Sequence, residues 1–61
     1  MAEHITIADQ VAEVGRELGM RRSVYPRMVL GGKMSQDEAN IRIARMEAVY
    51  QTLKQLKGRT P

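Results

Sequence analysis

From residue 6 onward, apolar residues recur at spacings of three, four or seven, which is the period of an α-helix and not the alternation of a strand. Ile7, Val11, Val14, Leu18, Tyr25 and Met28 fall on one stripe, interrupted by Arg21. Ala8, Ala12, Gly15 and Gly19 form a second stripe, roughly a quarter-turn away at 3.6 residues per turn. Thr6 suits an N-cap, and Asp9 lies in the first turn, where the helix dipole favours an acid. The pattern predicts a first helix from Thr6 or Ile7 toward Val29, closed by Gly31-Gly32. Pro26 opposes it, because an interior proline removes a hydrogen bond and costs about 3 kcal/mol. A kink, or a break with a short new turn, is expected around Val24–Pro26.

A second helix starts at Ser35-Gln36-Asp37-Glu38, which reads as a capping box with Ser35 as N-cap and Glu38 three residues on. It should run to about Lys57, with Gly58 as a stop and Pro61 beyond. Ala39, Ile43, Met46, Tyr50 and Leu53 form its stripe, widened by Val49 and Leu56. The connection, Leu30–Met34, is short enough to make the helices antiparallel neighbours. The fold class is therefore all-α, an antiparallel two-helix hairpin. Pairing about a hinge near Gly32 sets Tyr50 opposite Gly15, Met46 near Gly19 and Leu53 near Ala12, large residues against small ones. It also brings Glu3, Asp9, Glu13 and Glu17 alongside Lys54, Lys57 and Arg59. Two mid-helix glycines cost about 1 kcal/mol each against alanine, a cost that close helix approach would explain. With the small stripe facing helix two, Ile7, Val11, Val14 and Leu18 are left uncovered. A single layer cannot hide both stripes, so these four residues are the expected dimer interface of a four-helix arrangement.

Length agrees with that need for a partner copy. The 61 residues make one domain, with 1–5 and 58–61 expected to be loose, and a chain this short is marginal alone. Small domains usually add a disulfide, a metal or oligomerisation. The chain has no cysteine, and its single histidine, His4, lies near the start, so no metal or cofactor is expected and oligomerisation remains. Tyr25 and Tyr50 are the only aromatic residues, which leaves a core of Val, Ile, Leu, Met and Ala. No apolar run approaches the ~20 residues of a membrane span, and no signal peptide is visible, so a cytoplasmic protein is expected. The net charge of +3 does not by itself indicate nucleic acid.

Charge is uneven along the hairpin. Arg21, Arg22, Arg27, Lys33, Arg42 and Arg45 gather toward the turn, against Asp37 and Glu38. Such a cluster is either a solvated face or a docking surface for an acidic partner, and arginine favours bidentate recognition of carboxylates or phosphates. Tyr25-Pro26-Arg27, with Met28 and Met34 nearby, either shapes the turn or forms an aromatic–arginine hot spot. Arg22, Tyr25, Arg27 and Lys33 are thus the candidate partner-binding residues. Two helices enclose no pocket for catalysis, Asp37 and Glu38 are accounted for by capping, and Gly31-Gly32 lacks the flanks of a phosphate loop, so a non-enzymatic role is expected. The competing reading is a ribbon-helix-helix DNA-binding repressor, with His4-Ile5-Thr6-Ile7 as its strand. That strand would be short and without arginine or lysine, and the basic residues lie at the other end.

Val24-Tyr25-Pro26-Arg27, then Gly32-Lys33-Met34-Ser35, Glu38-Ala39, Met46-Glu47-Ala48-Val49 and Thr52-Leu53, resemble a pattern shared by small proteins of tailed bacteriophages and prophages. The resemblance covers roughly residues 10–56. More distantly, the chain resembles the phage-encoded quorum-sensing anti-activators, small helical-hairpin dimers. The resemblance implies a phage accessory protein acting on a host protein. Its target would be a LuxR-type transcription regulator and, as a further candidate, a type IV pilus assembly ATPase.

Overall fold

The structure, a computed structural model, describes residues 4–59. Two helices, α1 (Ile7–Leu30) and α2 (Gln36–Arg59), pack against each other as a hairpin. Each start is chemically fixed. The Thr6 side chain accepts from the Asp9 backbone N–H at 3.0 Å, and the Asp9 carboxylate accepts from the Thr6 N–H at 3.0 Å. These reciprocal bonds complete a capping box in which aspartate takes the place of the usual glutamate. At α2 the Ser35 hydroxyl accepts from the Glu38 N–H at 3.0 Å, but only half of the expected box forms. The Glu38 carboxylate turns forward to Arg42 at 2.9 Å instead. An i,i+4 ion pair competes directly with the backward reach of the box.

The turn closes through Gly31 and Gly32. Lys33 N–H donates to Met28 C=O at 2.9 Å, and Gly32 N–H to Val29 C=O at 3.1 Å. This is a Schellman motif, and Gly32 has the positive φ, 75°, that it requires. A residue with a Cβ would be strained there.

Three sequence expectations change. Helix α1 is unbroken through Pro26. Pro26 is exposed, so the Arg22 carbonyl that loses its donor can be met by water, and the helix tolerates the missing bond. Helix α2 continues past Gly58 to Arg59. His4–Ile7 contains no strand, since Thr6 is an N-cap and Ile7 is already helical. Glu3 and Pro61 lie outside the described residues.

The largest correction concerns which face of α1 meets α2. Leu18 is 4% exposed and Ala39 2%, and these are the buried residues of the hairpin. Ile7, Val11, Val14, Tyr25, Met28 and Val29 are half-buried on the same stripe as Leu18, whereas Ala8, Ala12 and Gly19 are exposed. The large stripe faces α2. Only Gly15 of the small stripe is used: a Cβ there would stand 3.2 Å from the Tyr50 ring, as the pairing about Gly32 expects. At Gly19 a Cβ would meet open space, so the expected Met46–Gly19 contact is absent. Ile7, Val11, Val14 and Leu18 are therefore not left bare. The premise that made them a dimer interface fails because α2 of the same chain already covers Leu18 and flanks the rest.

Burial of apolar side chains explains the choice. Leu18 and its neighbours bring more hydrocarbon to α2 than three small residues would, at ~25 cal/mol per Å² removed from water. Arg21, the apparent interruption, fits this stripe because its guanidinium reaches across α2 to donate to the Arg42 carbonyl at 3.1 Å. Among the described residues no helix is long and apolar enough to cross a membrane.

Candidate functional site

The basic cluster at the turn end separates into two groups. Arg21 pairs with Glu17 at 2.9 Å and lies over the Tyr25 ring at 5.9 Å. Arg22 crosses to α2 and pairs with Glu47 at 2.6 Å. Arg42 pairs with Glu38. Arg21, through the Arg42 carbonyl, and Arg22 tie α1 to α2, whereas the Arg42 side chain pairs within its own helix. Arg27, Lys33 and Arg45 are exposed, and their side chains make no ion pair among the described residues.

Of the four partner-binding candidates, Arg22 and Tyr25 are thus engaged within the chain, Arg22 with Glu47 and Tyr25 half-buried toward α2. Arg27 and Lys33 remain open to solvent. Between them the sequence reading passed over Leu30, which is 90% exposed, the most exposed large apolar side chain of the hairpin. The signal was available: Leu30 lies off the core stripe and directly before Gly31-Gly32. Arg27 and Leu30 are three residues apart and neighbours on the helix surface. Arg27 C=O accepts from Gly31 N–H at 3.0 Å, so the Schellman turn fixes the backbone beneath this group.

Among the described residues, the charges expected to meet across the other end do not pair. Glu13 pairs with Arg16 on its own helix, Glu17 with Arg21, and Lys54 lies over the Tyr50 ring at 5.1 Å. Short i,i+3 and i,i+4 contacts fix fewer torsions than a cross-helix pair and prevail at exposed positions. The cross-helix ion pair is Arg22–Glu47. Gln51 also donates to Glu47 at 2.7 Å, and this bond, with the Arg22 guanidinium and the more distant Lys54, holds the Glu47 carboxyl below the usual range.

At the end opposite the turn, Ile5, Val14, Val49 and Leu53 form an apolar cleft of about 590 Å³, rimmed by Asp9, Gln10 and Glu13. His4 lies at the same end, in a smaller groove with Ile7 and Lys57. Among the described residues no group of three His, Asp or Glu side chains is placed to hold a metal ion.

These features define an all-helical hairpin with a solvent-exposed basic and apolar tip. No protein-family model matches the chain, and no curated protein or solved structure matches it.

Proposed function

We propose that this chain is a non-enzymatic, homodimeric protein-binding module whose turn tip docks on another protein. The observation that carries the reading is Leu30, 90% exposed on a capped turn, with the exposed cations Arg27 and Lys33 on either side of it in sequence. Exposing a leucine fully gives up ~1.5–3 kcal/mol of burial, and a rigid backbone beneath it lowers the ordering cost of binding. An apolar knob between two cations fits a partner with an apolar pocket and an acidic rim. The resemblance to phage accessory proteins extends the proposal to an inhibitor of a host protein in the bacterial cytoplasm. A LuxR-type regulator is the first target to test and a pilus assembly ATPase the second.

The test is binding of Leu30→Ala, Arg27→Ala and Lys33→Ala variants to a purified LuxR-type regulator, with helicity checked first by circular dichroism. Leu30→Ala is expected to weaken binding by ~2 kcal/mol, about thirtyfold. Arg27→Ala and Lys33→Ala should chiefly slow association and reduce its salt dependence. Tight binding of the parent that survives all three substitutions would move the contact elsewhere. No binding of the parent would discard this target class.

A further inference from the structure

The hairpin has two broad faces, and side-chain contacts fix which residues belong to each. Val14 and Val49 share the apolar cleft, and Arg21 reaches the Arg42 carbonyl on that side. From Val14 and Val49, helical spacing carries the same face through Val24 on α1, with Met20 and Ile41 at the outer edges of α1 and α2. Gly15 meets Tyr50, and Arg22 meets Glu47, on the other side. There helical spacing places Ala8, Ala12, Gly19, Asn40, Ala44 and Gln51.

Apart from Leu30, which stands at the turn tip toward the second face, the exposed large apolar residues of the helices favour the first face. Val24 (41%) and Val49 (45%) lie on it and Met20 (48%) and Ile41 (46%) at its outer edges, with the cleft continuing it to the open end. We propose that this face is the seam of a two-fold dimer with a second copy of this chain, built on Val24 and Val49 and edged by Met20 and Ile41. The inference rests on the homodimer reading above and supplies its surface.

Shape and area argue for a second copy as the occupant. The hairpin measures 45 × 27 × 14 Å, and its thinnest dimension is little more than the ~10–12 Å of a single helix. Its radius of gyration is 14.3 Å, against about 10.5 Å for a compact chain of this length. It exposes 4809 Å², whereas a folded monomer of 6.9 kDa exposes about 4000 Å². The excess is of the order of the ~800 Å² that each partner buries in a standard interface. Every chain carries this deficit, so the occupant must be present at one per chain, which a second copy satisfies by symmetry.

Electrostatics permit the burial. Four of the charged groups on this face are already paired within the chain, Glu17 with Arg21 and Glu38 with Arg42, both at 2.9 Å. Lone charges there would oppose desolvation far more strongly. Arg45 has a stem long enough to keep its guanidinium at the rim. In such a dimer Leu30, on the second-face side of α1, lies outside the seam, and the turn tip stays free for a third molecule.

The experiment uses the full chain and sedimentation equilibrium. The parent is expected at twice 6.9 kDa. Val24→Asp and Val49→Asp should lose the dimer mass, whereas Gly19→Asp and Ala44→Asp, on the opposite face, should keep it. If the seam variants unfold as they dissociate, thiol labelling decides, since the parent has no cysteine. Val49→Cys should react at least about tenfold more slowly than Ala44→Cys, with protection that rises with protein concentration. A folded parent monomer overturns both the homodimer reading and the seam. A dimer that survives Val24→Asp and Val49→Asp but not Ala44→Asp overturns the seam alone. Equal labelling of the two cysteines in a dimeric parent does the same.

Discussion

The two faces of the hairpin are made from the same pair of helices yet differ in what they leave to solvent. One carries Val24 and Val49, with Met20 and Ile41 at its edges, each more than 40% exposed. The other carries alanines, glycines and amides, with one close fit where Tyr50 lies against Gly15. Helical period alone does not separate these roles, because the residues between the core and each face sit at similar angles from the core stripe. Chemistry separates them: apolar bulk on one side, small and polar groups on the other. A small-residue stripe is therefore no guide to where a partner helix lies. In this hairpin the glycine positions are mostly free surface, and the bulky stripe closes the fold.

Leu18 lies between the two faces, in the contact of α1 with α2, and its variants are expected to have the largest effect. Leu18→Ala should cost ~2–5 kcal/mol, and Leu18→Asp should abolish the cooperative thermal transition, because it adds an unpaired charge at a 4%-exposed site. Retained helicity in Leu18→Asp would show that the hairpin is not held by this contact.

Gly15 and Gly19 sharpen the contrast within one face. Gly15→Leu should destabilise by ~1–3 kcal/mol, as its side chain enters the space of the Tyr50 ring. Gly19→Ala should stabilise by up to about 1 kcal/mol, because helix propensity improves and its Cβ meets nothing within 4 Å. Urea denaturation of the two variants reads both signs. Equal effects would mean that the two positions share an environment.

The smallest expected effect is an acid dependence from Glu47. Its carboxyl is held low chiefly by the Gln51 hydrogen bond, then by Arg22. A folded-state value below the unfolded one gives stability that is present above the ordinary glutamate range. That stability is lost as pH falls through the folded value. Glu47→Gln should therefore melt with a shallower loss of stability below about pH 4.3 than the parent. A steeper acid limb would reverse the assigned sign.

Much of the hairpin is legible in the sequence because local chemistry specifies it. Thr6, Ser35 and Gly31-Gly32 set the ends of the helices through caps that need no tertiary contact. Tyr50 opposite Gly15 follows from counting residues about the turn. The orientation of α1 was not legible, since two stripes a quarter-turn apart both offer continuous packing surfaces, and three size matches favoured the smaller one. Arg21 added to the error. A cation on an apolar stripe reads as an interruption until its reach to the Arg42 carbonyl is known. The candidate site was half legible: Arg27 and Lys33 stay open, whereas Arg22 is drawn into a cross-helix ion pair and Tyr25 lies half-buried under Arg21, which charge counting does not reveal.

The central claim is that this single layer is completed by a second copy, and the most direct measurement is the melting temperature as a function of protein concentration. A fold stabilised by self-association melts at higher temperature as concentration rises, by mass action. The parent is expected to show a steady rise between low micromolar and millimolar concentrations, with one cooperative transition throughout. A melting temperature constant over that range, with a sharp transition, would contradict the account and establish that the two helices are stable alone.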